Sequence, residues 1–249
     1  MTAAPLRLPL SLAAAVAAAP ALAQDDRGWN VQVSPYLWGS GVSGEVTPLA
    51  GGPTLEFGSS LGEVLGDLDG AFFLSAYGRT GPWVFLGDIS ASSSSREGAV
   101  PPGIPAEGEV SQRSITLAAG YRVQSGPRVT LDVLAGVRAW DVDVSAAAPL
   151  AGLGASTGAG FTDPIVAARA NWALGDRFSV MAYVDVGGFG VGSEATGQVV
   201  ATLNYAVTDR LYVSSGWRQL QVDYEGDGTG FEGFEATLSG PLAGVTWRF

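Results

Sequence analysis

The property of this chain that most narrows its fold is a two-residue period in hydrophobicity. Val129, Leu131, Val133, Ala135, Val137 and Ala139 alternate with Thr130, Asp132, Leu134, Gly136, Arg138 and Trp140. The stretches 83–90, 114–122, 178–187 and 198–207 alternate in the same way. Successive side chains of an extended strand point to opposite faces, so such runs read as strands with one apolar face. The other face carries small, polar or charged residues. Runs with helical spacing are scarce, and glycine is 36 of 249 residues. The chain is therefore expected to be all-β.

Turn chemistry orders these strands. Gly81-Pro82-Trp83, Gly126-Pro127-Arg128, Gly175-Asp176-Arg177 and Thr208-Asp209-Arg210 each join two strand-like runs within a few residues. Each predicts a tight hairpin. Between them lie longer segments rich in Gly, Ser and acids, roughly 43–67, 92–108, 145–160, 190–195 and 225–232. Short turn, long loop, short turn is an up-and-down meander. The expected strands are roughly 29–42, 68–80, 82–92, 109–124, 128–144, 161–174, 177–189, 196–207, 210–224 and 233–249. That is about ten, with eight or twelve as alternatives, and an even count leaves both ends of the meander beside the short turns. The segment 54–69 breaks the period. Ser60 with Glu63 fits a capping box, and Leu61, Val64, Leu65 and Leu68 have helical spacing, so a short helix is expected there, packed in a loop or plugging the barrel mouth.

Composition excludes much chemistry. The chain has no His and no Cys, and all 13 basic residues are Arg. This removes His-based triads, His zinc sites, thiol nucleophiles, disulfides, iron–sulfur clusters and Schiff-base lysines. Outer-membrane proteases, phospholipases and lipid A deacylases rely, as families, on histidine. A pair such as Asp132 and Asp185 is the remaining acid–base option, and nothing in its spacing singles it out. No enzymatic activity and no catalytic residue are expected. A formal charge of −11 argues against nucleic acid, which requires a basic face.

The N-terminal residues predict export. Arg7 precedes an apolar run from Leu8 to Ala19, and Ala21-Leu22-Ala23 supplies small residues before a cleavage site at Gln24. Residues 1–23 are thus read as a signal peptide and 24–249 as the mature domain. No later stretch has the 18 consecutive apolar residues of a transmembrane helix. A closed barrel is the other way to satisfy every backbone group in lipid. Short turns at one end, long loops at the other and an apolar outer band match bacterial outer-membrane barrels. Trp29, Trp38, Trp83, Trp172, Trp217, Trp247 and Phe249 fit the aromatic girdles of such barrels.

Two segments carry a family resemblance. The last strand places Val245, Trp247 and Phe249 on one face, and its terminal Phe resembles the assembly signal of outer-membrane barrels. The segments Trp29-Asn30-Val31-Gln32-Val33-Ser34-Pro35-Tyr36-Leu37-Trp38 and Leu68-Asp69-Gly70-Ala71-Phe72-Phe73 resemble uncharacterised proteobacterial proteins of the broad OmpA/OmpW-like barrel group. The resemblance implies outer-membrane lipid and lipopolysaccharide as surroundings. It also implies recognition by the barrel-insertion machinery. Phe234, Ala236 and Leu238 lie on the opposite parity to Val245 and Trp247, so a bulge or kink is expected near Gly240-Pro241.

If apolar residues face lipid, the lumen holds Asp88, Arg122, Asp132, Arg138, Asp163, Arg169, Asp185, Arg218 and Glu235. These charges are expected to pair across the barrel, since unpaired ions are costly in a low-dielectric interior. Acids crowd the long loops, which predicts a negative outer mouth that favours cations. Glu225, Asp227 and Glu232 form the best local candidate for a Ca²⁺ site, without the spacing of an EF-hand loop. No other cofactor is expected. The leading expectation is a small or closed porin-like barrel of the outer membrane. The alternatives are a non-conducting barrel whose acidic loops hold divalent ions, lipopolysaccharide or a partner, and a soluble lipocalin-like barrel. The last requires apolar residues inside and charges outside.

Overall fold

A computed structural model describes residues 28–47, 55–60, 62–63, 68–100, 104–148, 153–226 and 233–249. The expected signal peptide lies outside the described residues. Among them the chain forms twelve strands, β1 (Trp29–Trp38), β2 (Gly41–Thr47), β3 (Leu55–Ser59), β4 (Leu68–Thr80), β5 (Trp83–Val100), β6 (Ile104–Ser125), β7 (Val129–Ala148), β8 (Leu153–Ala173), β9 (Phe178–Gly188), β10 (Ala195–Ala206), β11 (Leu211–Glu225) and β12 (Gly233–Arg248). Ten of them, β1 and β4 to β12, pair antiparallel in chain order and close when β12 returns to β1. The four predicted hairpins all lie at one end; Gly81 supplies the left-handed residue of the first, at φ +54°. Both ends of the meander are at this short-turn side.

β2 and β3 extend the wall at the other end. Trp38 is opposite Leu242 and Gly41 is opposite Ser239, so β1 and β2 keep one register along β12. Pro241 interrupts this ladder because it has no N–H to donate. The Gly39 N–H still donates to the Pro241 carbonyl, at 3.0 Å. At the same crossing the backbones touch: a Cβ on Gly240 would overlap the Gly39 carbonyl. The expected bulge at Gly240-Pro241 is absent. β11 and β12 pair without a shift from Leu211 opposite Trp247 to Glu225 opposite Gly233. The parity change has another cause: the outer part of the lumen is itself apolar, so Phe234, Ala236 and Leu238 face inward without any slip. Register shifts occur instead at Leu68/Gly70 and Arg122/Gln124.

The segments 92–108 and 145–160, expected as loops, are largely strand. β5 to β8 run for 18, 22, 20 and 21 residues, against 11 and 12 for β9 and β10. One side of the wall therefore stands taller. Out there both faces meet solvent, so pairing persists without hydrophobic alternation, which is why the sequence pattern fades. In 54–69 the first residues form β3 rather than helix. The capping box is nonetheless made: the Ser60 N–H donates to Glu63 Oε2 at 2.7 Å and the Glu63 N–H to Ser60 Oγ at 3.4 Å. Gly62 and Glu63 are helical, as expected; residues 61 and 64–67 lie outside the described residues, so the extent of the helix and any plug are not described.

The outside of the barrel is apolar. Val133, Val137, Val166, Val184, Val199, Leu203 and Val213 are all more than 40 % exposed on the outer wall. Along β7 the outward side chains are apolar from Val129 to Ala139 and then become Asp141 and Asp143. That apolar run has the length a membrane-crossing strand needs, about 9–11 residues. Trp29, Trp83, Trp172, Trp247 and Phe249 ring the short-turn end and are exposed, while Trp217 lies further up; Trp38 departs from the expected girdle and points into the lumen, only 6 % exposed. Gly240→Val is expected to destabilise the barrel by roughly 1–3 kcal/mol or more, because the strand crossing has no room for the side chain. Urea unfolding of detergent-folded protein, followed by tryptophan fluorescence, measures this.

Candidate functional site

The inward positions build the lumen in three levels. Near the short turns the hub is Asp132, which is fully buried. It accepts bonds from Arg122 Nε at 2.7 Å, Arg122 Nη2 at 3.2 Å and Tyr77 OH at 2.8 Å. Arg169 Nη1 lies 3.7 Å from the same carboxylate, and its guanidinium stacks over the Tyr77 ring at 4.2 Å. Arg248, on the inward parity of β12, donates to Tyr212 OH at 2.8 Å and stacks over that ring. Asp132 and Arg122 face each other in register on β6 and β7, which is why this pair forms.

The waist holds two further ion pairs. Arg138 grips Asp185 with both Nη atoms, at 3.1 and 2.6 Å, and its Nε donates to Thr116 at 3.1 Å. Gln198 adds a bond to Asp185 at 3.2 Å. A two-pronged, multiply bonded pair of this kind is what makes a buried ion pair tolerable. On the opposite wall Tyr36 donates to Asp88, at 3.1 and 3.0 Å to its two oxygens, and accepts from Arg218 Nη1. Arg218 Nη2 reaches Asp88 at 3.5 Å, and its guanidinium lies 4.5 Å over the Trp38 ring.

Above the waist hydrocarbon fills much of the lumen, beside a smaller pocket lined by Ser90, Ser92, Ser94 and Gln112. Trp38, Phe73, Trp140, Leu220, Val222 and Leu242 are buried together, with Phe161, Tyr224 and Phe234 packed against them. Phe161 stacks on Tyr224 at 4.5 Å and on Trp140 at 6.1 Å. This aromatic layer brings side chains of β1, β4, β7, β8, β11 and β12 into contact across the lumen, and the Arg138–Asp185 pair lies below it. Below them a cavity of about 160 Å³ extends to the short-turn rim.

Eight of the nine charges predicted for the lumen face it. Glu235 does not: it is exposed on the outer wall, because the unbroken β12 register puts even-numbered residues inward. Asp163 is inside but joins none of the ion pairs described. Its Oδ1 accepts the Ser193 N–H at 2.7 Å and Ser193 Oγ at 2.9 Å, which pins the 189–194 connection against β8. Its Oδ2 accepts no bond among the described residues. Val245, Trp247 and Phe249 share the outer face as the alternation implied, and the Phe249 N–H closes on the Val31 carbonyl at 2.9 Å. Of the candidate Ca²⁺ loop, Glu225 is exposed, and Asp227 and Glu232 lie outside the described residues. Among the described residues no three metal-ligating side chains converge.

The hydroxyls and rings that complete the networks were not singled out from sequence. Tyr36, Tyr77, Thr116 and Gln198 are recognisable only by the parity they share with the lumen charges. Arg248 was readable in that way, since it alternates with Trp247 and Phe249. Asp185→Ala is expected to cost about 3–5 kcal/mol, because it strands the Arg138 charge in the waist. Replacing Arg138 and Asp185 together by Met and Leu is expected to cost much less, and the double-mutant cycle in urea reads the difference. Asp163→Asn keeps an acceptor for Ser193, whereas Asp163→Ala is expected to speed amide exchange across 189–194.

No protein-family model matches the chain, and no curated protein sequence does. Solved structures give low-level likeness. The attachment invasion locus protein Ail of Yersinia pestis, in complex with the heparin analogue sucrose octasulfate, is 12 % identical over 89 % of this chain and 99 % of its own, with a TM-score of 0.42. The transport unit of the Escherichia coli autotransporter AIDA-I is 10 % identical over 92 % of each chain, also at 0.42. Neisserial surface protein A is 15 % identical over 89 % of this chain and 97 % of its own, at 0.33. Likeness at this level carries no information about function.

Proposed function

We propose that this chain is an integral outer-membrane β-barrel of the small porin-like kind, closed at rest by its own side chains. One observation carries the reading: large apolar residues are exposed around the outer wall while Asp132, Asp163, Asp185, Arg138 and Arg218 are buried inside. In water this inverts the hydrophobic effect; in lipid it satisfies it. It also opposes a soluble lipocalin-like barrel, whose ligand cavity has apolar walls and whose surface is charged. The segments resembling the OmpA/OmpW-like group, Trp29–Trp38 and 68–73, and the outward Val245, Trp247 and Phe249 accord with this placement and with delivery by the insertion machinery.

The polarity of the ends supports a preference for cations at the outer mouth. Glu45, Glu107, Glu109, Asp141, Asp143, Glu194, Asp223 and Glu225 are exposed toward the long connections. Such a field concentrates cations and repels anions. A second role has its own support. Asp141 and Asp143 stand on the outer wall just above the apolar belt, opposite Arg113 and Ser111 of β6, with Glu109 diagonal to Asp143. That is the level of lipopolysaccharide phosphates, and divalent cations such as Ca²⁺ would bridge the two sets of anions.

The test is planar-bilayer conductance of the mature, detergent-folded protein. The native barrel is expected to be silent or to open rarely. Trp140→Ala with Phe161→Ala, which thins the aromatic layer, is expected to give discrete, cation-preferring steps under a salt gradient. Steady large conductance from the native protein would sink the closed state. Recovery of folded protein in aqueous buffer without detergent would sink the membrane reading.

A further inference from the structure

The inner cavity has a charge imbalance that a structural plug does not need. Four arginines, Arg122, Arg169 and Arg248 near the short turns and Arg218 at the waist, stand around the inner part of the lumen. Among the described residues two carboxylates, Asp88 and Asp132, are paired with them. Both carboxylates are already shared: Asp132 is held by Arg122 and Tyr77, and Asp88 by Tyr36 and Arg218. Arg169 keeps a 3.7 Å contact with Asp132 and its stacking on Tyr77, and Arg248 donates to a neutral phenol, Tyr212.

Two of these guanidinium groups also carry free donors. Arg218 Nε and Arg248 Nε are buried and donate to nothing among the described residues. Both residues line the cavity, as does Arg169. A buried cation with an open donor is costly unless an acceptor arrives from outside. The space for one exists, since about 160 Å³ holds on the order of ten waters. The wall is not uniformly polar. Leu86, Met181, Val200 and Leu242 supply apolar surface among the polar residues of the lining.

We propose that this cavity binds a small organic dianion, a dicarboxylate of about four carbons, entering from the short-turn side. Two carboxylates would neutralise the two uncompensated charges, and each has the planar oxygens that a guanidinium fork matches. The carbon body would lie against the apolar strip, which a bare inorganic ion leaves unused. The outer mouth is acidic and is separated from the cavity by the aromatic layer, so approach from that side is disfavoured. The inference goes beyond the porin-like reading and does not depend on conductance, because a silent barrel has the same cavity.

The test is calorimetric titration of the mature, detergent-folded protein with succinate at low ionic strength. Succinamide serves as the neutral isostere and sulfate as the inorganic dianion. One saturable succinate site is expected, weakened by added salt. Arg169→Gln and Arg248→Gln are each expected to weaken it about tenfold or more, the loss of one charge-assisted contact. Arg169→Lys keeps the charge without the fork and is expected to fall between. Arg177→Gln, at an exposed turn, is expected to leave binding unchanged. Heat-modifiable migration on gels checks that each variant is folded. Absence of succinate binding by folded native protein would overturn the proposal. So would equal binding of succinamide, equal or tighter binding of sulfate, or full affinity in both Gln variants.

Discussion

The closure of β12 on β1 is the constraint from which the rest of this molecule follows. A sheet with no free edge satisfies its backbone donors and acceptors internally, and only such a sheet or a helix tolerates hydrocarbon around it. Closure then dictates the sorting of side chains. Each strand has one face toward the surroundings and one toward the lumen, so Val184 and Val186 point out while Tyr183 and Asp185 point in. The interior then combines polar residues that pair with one another and two buried apolar clusters, one around Val84 and Leu134 and one around Trp140 and Leu220. The interruption at Pro241 also serves closure: Pro241 withholds a donor, and Gly240 lets the backbones meet at that point.

Inside, the character changes along the barrel axis. The short-turn end is rich in arginine, the waist is an ion-pair layer with near-balanced charge, and the outer end is aromatic. The levels are physically linked, since Arg218 belongs to the Asp88 pair and stacks on Trp38 of the aromatic layer. A rearrangement at one level is therefore felt at the next. Asp163 is used differently: its charge holds a connecting segment against the wall, so a buried carboxylate there shapes the rim rather than the pore.

Where alternation was strong, the fold was legible. The hairpins at Gly81, Gly126, Gly175 and Asp209, and the inward parity of Asp132, Arg138 and Asp185, follow from period two and turn chemistry alone. The reading faltered where the surroundings of the wall change. Above the belt, β5 to β8 continue through Ser- and Ala-rich residues that show no alternation because water bathes both faces. On β12, Glu235 was assigned to the lumen because the outward face was assumed apolar along its whole length. That assumption holds only along the apolar belt, where polar groups are inside; beside the aromatic layer, the inward residues are the apolar ones.

The sequence by itself determined the class: an all-β chain without histidine or cysteine, arranged as a meander whose two faces differ in polarity. Those properties are local, since a side chain's face depends only on its place in the strand. Partnership is not local. Arg138 meets Asp185 across the intervening strand, Arg218 meets Asp88 across the lumen, and Asp163 meets Ser193 rather than an arginine. Which inward charges touch depends on strand tilt and barrel curvature, and these emerge only when the sheet closes. So do the cavity and its surplus of arginine, because residues from nearly every strand must converge to make them.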